Sequence, residues 1–164
     1  IEHFLDEKNI QLYVNNKVFS EKEMRARYDI MLENYSKTIN IEALTMIDIA
    51  KKEIYPAVND YLITLGKAIK TKSEFAPQYD HGEELKLFRS IAELNASIAE
   101  TSSIIDELLH LAKAMTDTEE LAHFYRNKIF ASMQELRLTA DRLERMVGKT
   151  YWPMPSYDDL LFSV

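Results

Sequence analysis

Leu87, Ile91, Leu94, Ile98, Thr101, Ile105, Leu108, Ala112 and Met115 recur in alternating steps of four and three residues. A strand turns successive side chains to opposite faces, so this spacing fits a helix with an apolar seam sustained over about four heptads. Such a seam must be covered by other helices, which commits the chain to helix-on-helix packing. Thr116 and Glu119 then stand at the spacing of a capping box after a very short connection, so the next helix doubles back antiparallel. Its face comprises Ala122, Tyr125, Ile129, Met133, Leu136, Ala140, Leu143 and Val147, and Gly148 is a natural stop. At 1.5 Å per residue, two helices of ~30 residues make a hairpin ~45 Å long.

A long upstream helix is the expected cover. Ser20 and Glu23 form a capping box, with Phe19 and Met24 at the two staple positions around it. Met24, Tyr28, Met31, Leu32 and Tyr35 then follow at helical spacing. The pattern blurs at Ser36–Asn40, where Asn40 is a candidate second cap, and resumes through Ile47, Ile54, Val58, Tyr61, Leu65 and Ala68. Pro56 offers no N–H to the carbonyl of Lys52 and its ring crowds that turn, so a helix crossing this point kinks or restarts; one long kinked helix is the preferred reading. Before it, Asp6 is a candidate cap for a short helix ending at Asn15-Asn16-Lys17, with Ile10, Tyr13 and Val14 near one side.

These signals divide one helical domain, 1–164, into a short helix and turn (1–19), a long kinked helix (20–70), a linker (71–82), a helical hairpin (83–148) and an extended aromatic tail (149–164). The fold class is all-α: an elongated bundle with a Pro-kinked helix and a coiled-coil-like antiparallel hairpin. In the tail, Pro153 and Pro155 hold Trp152 and Met154 extended. Ser156 and Asp159 suggest one helical turn carrying Leu160, Leu161 and Phe162, which either docks on the bundle or covers a neighbouring domain or subunit.

Composition narrows the function classes. Apolar residues make up 46% and charged residues 29%, a globular balance, and three glycines with four prolines favour helices over tight turns. No apolar run approaches the ~18 residues of a membrane span, and no secretory signal pattern opens the chain. With no cysteine, disulfides and thiolate metal sites are excluded. The start at Ile1 suggests a processed product or a piece of something longer. Residues 1–72 hold 11 Lys/Arg against 11 Asp/Glu, and 73–164 hold 9 against 16, so the second half carries the whole net charge of −7. That is a solvated acidic surface, and no basic face for nucleic acid is visible.

Two Glu-x-x-His pairs, Glu107–His110 and Glu120–His123, have the spacing of bundle metal ligands, since i and i+3 share a helix face. The phase of the seam argues against a centre: with Ile105 and Leu108 inward, Glu107 and His110 fall on the solvent side, and His123 lies off the stripe of Ala122. His3 and His81 sit near a terminus and in the linker. Isolated glycines build no phosphate cradle, and no serine stands in a nucleophile-elbow context. Tyr28, Tyr35, Tyr55, Tyr61 and Tyr125 read as core aromatics with their hydroxyls at the edge. Arg25 and Arg27 beside Tyr28 are candidate contacts for a nucleotide or a partner.

Three stretches resemble type III glutamine synthetases, a large bacterial and cyanobacterial class: Glu7–Phe19 with the turn and capping serine after it, YDIMLENYSKTINIEALTMIDIAKKEIYPAV at Tyr28–Val58, and WPMPSYDDLLFSV at Trp152–Val164. The hairpin between them matches mainly in helical character. Asn16-Lys17 departs from the pattern, standing where a glycine is usual before the valine. The resemblance implies a parent enzyme that condenses glutamate with ammonia using ATP and magnesium, in hexameric rings stacked into dodecamers. In that family the metal-binding carboxylates and the phosphoryl-stabilising arginines lie upstream of this region, so no catalytic or cofactor-binding residue carries over.

The expectation is therefore a structural and assembly domain, catalytically inactive alone and cytoplasmic. Its partners would be the catalytic domain of the same chain and neighbouring subunits of a homo-oligomer. Tyr28, Tyr35, Pro56, Tyr151, Trp152, Leu160, Leu161 and Phe162 are the candidate packing residues. A free-standing interaction bundle, and a metal-binding four-helix protein built on the two Glu-x-x-His pairs, are the alternatives.

Overall fold

The computed structural model describes residues 3–155 and 157–161, so the expectations resting on Ser156 and Phe162 lie outside the described residues. The helices are α1 (Glu7–Asn15), α2 (Glu21–Ile49), α3 (Tyr55–Phe75), α4 (Gly82–Ala112), α5 (Thr118–Phe124), α6 (Phe130–Glu144) and α7 (Tyr157–Leu161). Single π turns at Ala50–Ile54 and Tyr125–Ile129 join α2 to α3 and α5 to α6 without a break. No strand occurs among the described residues, in keeping with the all-α expectation. The chain forms two compact units: Ile1–Ala43 with Glu107–Ala131, and Leu44–Asp106 with Ser132–Val164.

In the first unit, local chemistry sets the helix ends. Val18 N–H donates to the Tyr13 carbonyl and Lys17 N–H to that of Val14, each at 3.0 Å, closing α1 in a Schellman motif. Lys17 occupies its left-handed position, φ 54°, which glycine adopts without strain. The capping box is made as expected: Ser20 N–H donates to Glu23 Oε2 at 2.8 Å, and Glu23 N–H to Ser20 Oγ at 3.3 Å. Met24, on the staple, is fully buried. The buried core of this unit also includes Leu32, Ile39, Ala43, Leu109, Ala122, Tyr125 and Ile129, each large apolar side chain stabilising by roughly 1.5–3 kcal/mol.

Three local expectations are corrected here. Asp6 stands at the start of α1 without a side-chain cap, because its carboxylate turns to His3 Nδ1 at 3.2 Å. Asn40 does not cap a new helix: α2 runs straight through, and Asn40 Oδ1 accepts instead from the Tyr125 hydroxyl at 3.1 Å. The cap of α5 is Asp117, one residue after Thr116; its carboxylate accepts from Glu120 N–H at 2.8 Å. Glu119 is thereby released to accept from the Tyr28 hydroxyl at 3.2 Å.

In the second unit, the end of α2 and α3 run antiparallel to α4. Lys51 pairs with Asp106 at 3.6 Å, Asn95 Nδ2 donates to Asn59 Oδ1 at 3.0 Å, and Lys72 pairs with Glu84, so rising numbers on one helix meet falling numbers on the other. α4 and α6 are antiparallel as expected, since Leu94 shares a groove with Arg142 and Met146, and Ile98 shares a cavity with Leu136 and Ala140. Ile91, Ile98 and Ile105 on α4 and Leu143 on α6 are essentially fully buried.

The α4 seam is broader than two positions per heptad. Asn95, Ser102 and Leu109 are buried, while Leu94 and Leu108 are only half-buried. A helix flanked by two others buries a wider stripe, and the extra positions lie four residues after Ile91, Ile98 and Ile105. On α3, Ala68 is exposed and Ile69 takes the buried position, and the helix continues to Phe75, past the expected end at residue 70.

At Pro56 the helix neither stops nor restarts. Tyr55 N–H reaches back five residues to the Ala50 carbonyl, so the wide π turn directly precedes the proline. An extra residue in that turn relieves the crowding that the ring imposes on a normal α turn. Lys51, Lys52 and Glu53 face solvent while Ala50 and Ile54 remain buried, so the carbonyls that lose partners lie on the wet side.

Candidate functional site

The tail is built by its aromatics. After Gly148 a turn places Tyr151 against α3: its ring centre is 5.3 Å from that of Tyr61, and its hydroxyl bonds Thr64 Oγ1 at 3.0 Å. The Trp152 indole nitrogen is buried and has no hydrogen-bond partner among the described residues. Met154 reaches an apolar cavity of about 170 Å³ lined by Ile49, Ala50, Ile54 and Ile98 beside the π turn. The tail is thus anchored as far as Met154. One turn of helix follows, α7, held by Lys149 at 3.5 Å from Asp159, yet Leu160 and Leu161 are 64% and 68% exposed. Docking on the bundle and presenting apolar groups outward, alternatives in the sequence, are divided between the two halves of the tail.

In the first unit, Tyr28 and Tyr35 face an open cleft of about 330 Å³ together with His3, Leu32, His123 and Arg126. The rings of Phe4 and Tyr28 stack with centres 6.4 Å apart. Tyr125 is buried, and burial raises its hydroxyl pKa above the ordinary value of 10.0; the hydroxyl stays protonated at neutral pH and donates its hydrogen bond to Asn40 Oδ1. Arg25 pairs with Glu21 at 2.7 Å, and Arg27 lies over the Phe19 ring at 4.2 Å, so both are engaged within their own helix turn or staple. Pro56 is exposed, as are Glu107, His110, Glu120 and His123. Among the described residues no three His, Cys, Asp or Glu side chains gather as a metal-ligand set.

His81, in the linker, is half-buried with Nδ1 3.7 Å from Glu84, the residue that pairs with Lys72. The Lys72–Glu84 pair was hidden from sequence patterning, because it depends on how α3 and α4 meet. The Asn40–Tyr125 bond was equally hidden, joining residues 85 apart. No helix of the described residues is long and apolar enough to cross a membrane.

Comparison with known proteins agrees with the motifs quoted above. Residues 1–73 match the family described as the glutamine synthetase C-terminal domain. A glutamine synthetase of Butyrivibrio fibrisolvens is 32% identical over 162 residues, covering 99% of this chain and 23% of that protein. A type-3 glutamine synthetase of Dictyostelium discoideum is 27% identical, covering 95% of this chain and 22% of its own length. A glutamine synthetase of Bacteroides fragilis is 22% identical over 98% of this chain and 23% of its own. The chain spans less than a quarter of each of these relatives. Its first 73 residues are thus similar to the glutamine synthetase C-terminal domain, and nearly its whole length matches a portion of glutamine synthetases, a type-3 enzyme among them.

Proposed function

We propose that this domain braces and assembles a glutamine synthetase whose chemistry lies elsewhere in the enzyme. The observation that carries the reading is the divided tail: Tyr151–Met154 are anchored, and Leu160 and Leu161 are held out on an ordered turn. Two adjacent leucines fixed in solvent forgo ~1.5–3 kcal/mol each, a deficit that burial against another surface removes. The catalytic domain of the same chain, or a neighbouring subunit of a homo-oligomer, is the surface proposed. The parent enzyme would condense glutamate and ammonia with ATP and magnesium, in the cytoplasm.

Phosphoryl transfer needs carboxylates, metal and positive charge converging on one pocket. Among the described residues the carboxylates are dispersed rather than gathered into a metal-ligand set, which suits bracing.

The test is removal of Trp152–Val164 from the complete enzyme. Assembly and thermal stability are expected to fall, with KM for ATP and glutamate little changed. Normal stability with raised KM would contradict the reading. The isolated chain is expected to form no glutamine above a buffer blank, and turnover there would place chemistry in this domain.

A further inference from the structure

The first unit carries another cleft, of about 370 Å³, between α2, the end of α4 and the start of the π turn at Tyr125. Ser36 and Asn40 reach it from α2, one helical turn apart. Helical serines ordinarily bond back to the carbonyl four residues earlier, as Ser73, Ser102 and Ser103 do here. Ser36 does not. It is 4% exposed, and its hydroxyl has no partner among the described residues. Leaving a buried hydroxyl unanswered is costly.

Asn40 is oriented by Tyr125, whose hydroxyl donates to Oδ1, so the amide turns its two N–H donors to what remains. Two lysines line the cleft. Lys37 is held by Glu33 at 2.9 Å, which cancels both charges. Lys113 has no ion-pair partner among the described residues and leaves the cleft positive. Two of the last carbonyls of α4 are already engaged within the chain: Ala114 and Met115 N–H donate to those of Leu111 and Ala112 at 3.1 Å each. Ala112, Met115 and Leu121 supply an apolar wall.

We propose that this cleft binds a small aliphatic carboxylate. Its carboxylate is received by the Lys113 ammonium, the Ser36 hydroxyl and the Asn40 amide, and its hydrocarbon body lies on the apolar wall. Donors without a matching acceptor call for an anion. The apolar wall selects an anion with a hydrocarbon body over a fully hydrated one, and the volume suits a metabolite-sized molecule. The site is independent of the assembly role and stands or falls separately.

The experiment is a heteronuclear NMR titration of this chain with sodium butyrate, with inorganic phosphate as the second arm and sodium chloride matching ionic strength. Butyrate is expected to shift the amides of Ser36, Asn40 and Lys113 saturably, with phosphate at least ~10-fold weaker. Lys113→Gln, at an exposed position that leaves the core untouched, is expected to weaken butyrate ~10-fold or more. Ser36→Ala tests the hydroxyl, and where it fails to fold, Lys113→Gln decides alone. No saturation by about 10 mM, beyond ordinary weak affinity, overturns the proposal. So does phosphate binding as tightly as butyrate, or an unchanged affinity in Lys113→Gln.

Discussion

Lys17→Gly isolates one backbone angle. Lys17 sits at φ 54° with an exposed side chain, and both hydrogen bonds of the motif come from main-chain N–H groups of residues 17 and 18. A Cβ in the left-handed region costs roughly 1–2 kcal/mol, whereas glycine adopts it freely. Glycine also gains freedom in the unfolded chain, worth about 0.5–1 kcal/mol, so the net stabilisation is about 0.5–1 kcal/mol. For a chain of this size that raises Tm by ~1–4 °C. At the site itself, it slows amide exchange at positions 17 and 18 by roughly two- to fivefold. Thermal unfolding by circular dichroism and native-state hydrogen exchange are the assays. Lys17→Ala is the control, since it removes the ammonium and keeps the Cβ. If Ala gives the same gain as Gly, the effect is one of charge and the conformational argument fails.

Three further changes bear on the fold. Asp117→Ala removes the observed cap of α5 and is expected to cost ~1 kcal/mol in urea unfolding, while Thr116→Ala costs little; the reverse order would restore the Thr116 capping box. Ile98→Ala, at an essentially buried site, is expected to lose about 2–5 kcal/mol by the same measurement, and a loss within the range of surface substitutions would argue against the α4 packing. Glu23 has its pKa held below 4.5, first by the Ser20 backbone N–H and then by the Ser20 hydroxyl. Because the folded value is depressed, its contribution is complete above 4.5 and disappears as pH falls through the folded value. Thermal midpoints of Glu23→Gln should therefore fall less steeply with acid than those of the unaltered chain, and parallel curves would remove Glu23 from the acid response.

Much of the architecture was written in apolar spacing. The stripe from Ala122 to Val147 lies inward at every position except Ala140, which is half-buried, because a 3.6-residue period leaves little choice of face. Ser20–Glu23 was legible because both halves of its box are local. Asp117 was missed because Thr116 offers the same box spacing, and only the turn's exit decides which residue precedes the first helical one. Asn95 and Ser102 were invisible to an apolar pattern: their polar side chains are buried by bonds to Asn59 and to the Ile98 carbonyl. The π turn before Pro56 was half legible, since proline announces a disturbance without saying how it is absorbed. The cleft lined by Ser36, Asn40 and Lys113 left no signal in the sequence, being assembled from three separate segments.

In the proposed assembly role, Leu160 and Leu161 are covered by the remainder of a complete glutamine synthetase. Hydrogen exchange of residues 157–161, compared between the isolated chain and the complete enzyme, tests it directly. Rapid exchange in the isolated chain and strong protection in the enzyme are expected, because the exposed turn gains a covering surface. Equal, rapid exchange in both would leave the turn in solvent and contradict the assembly role.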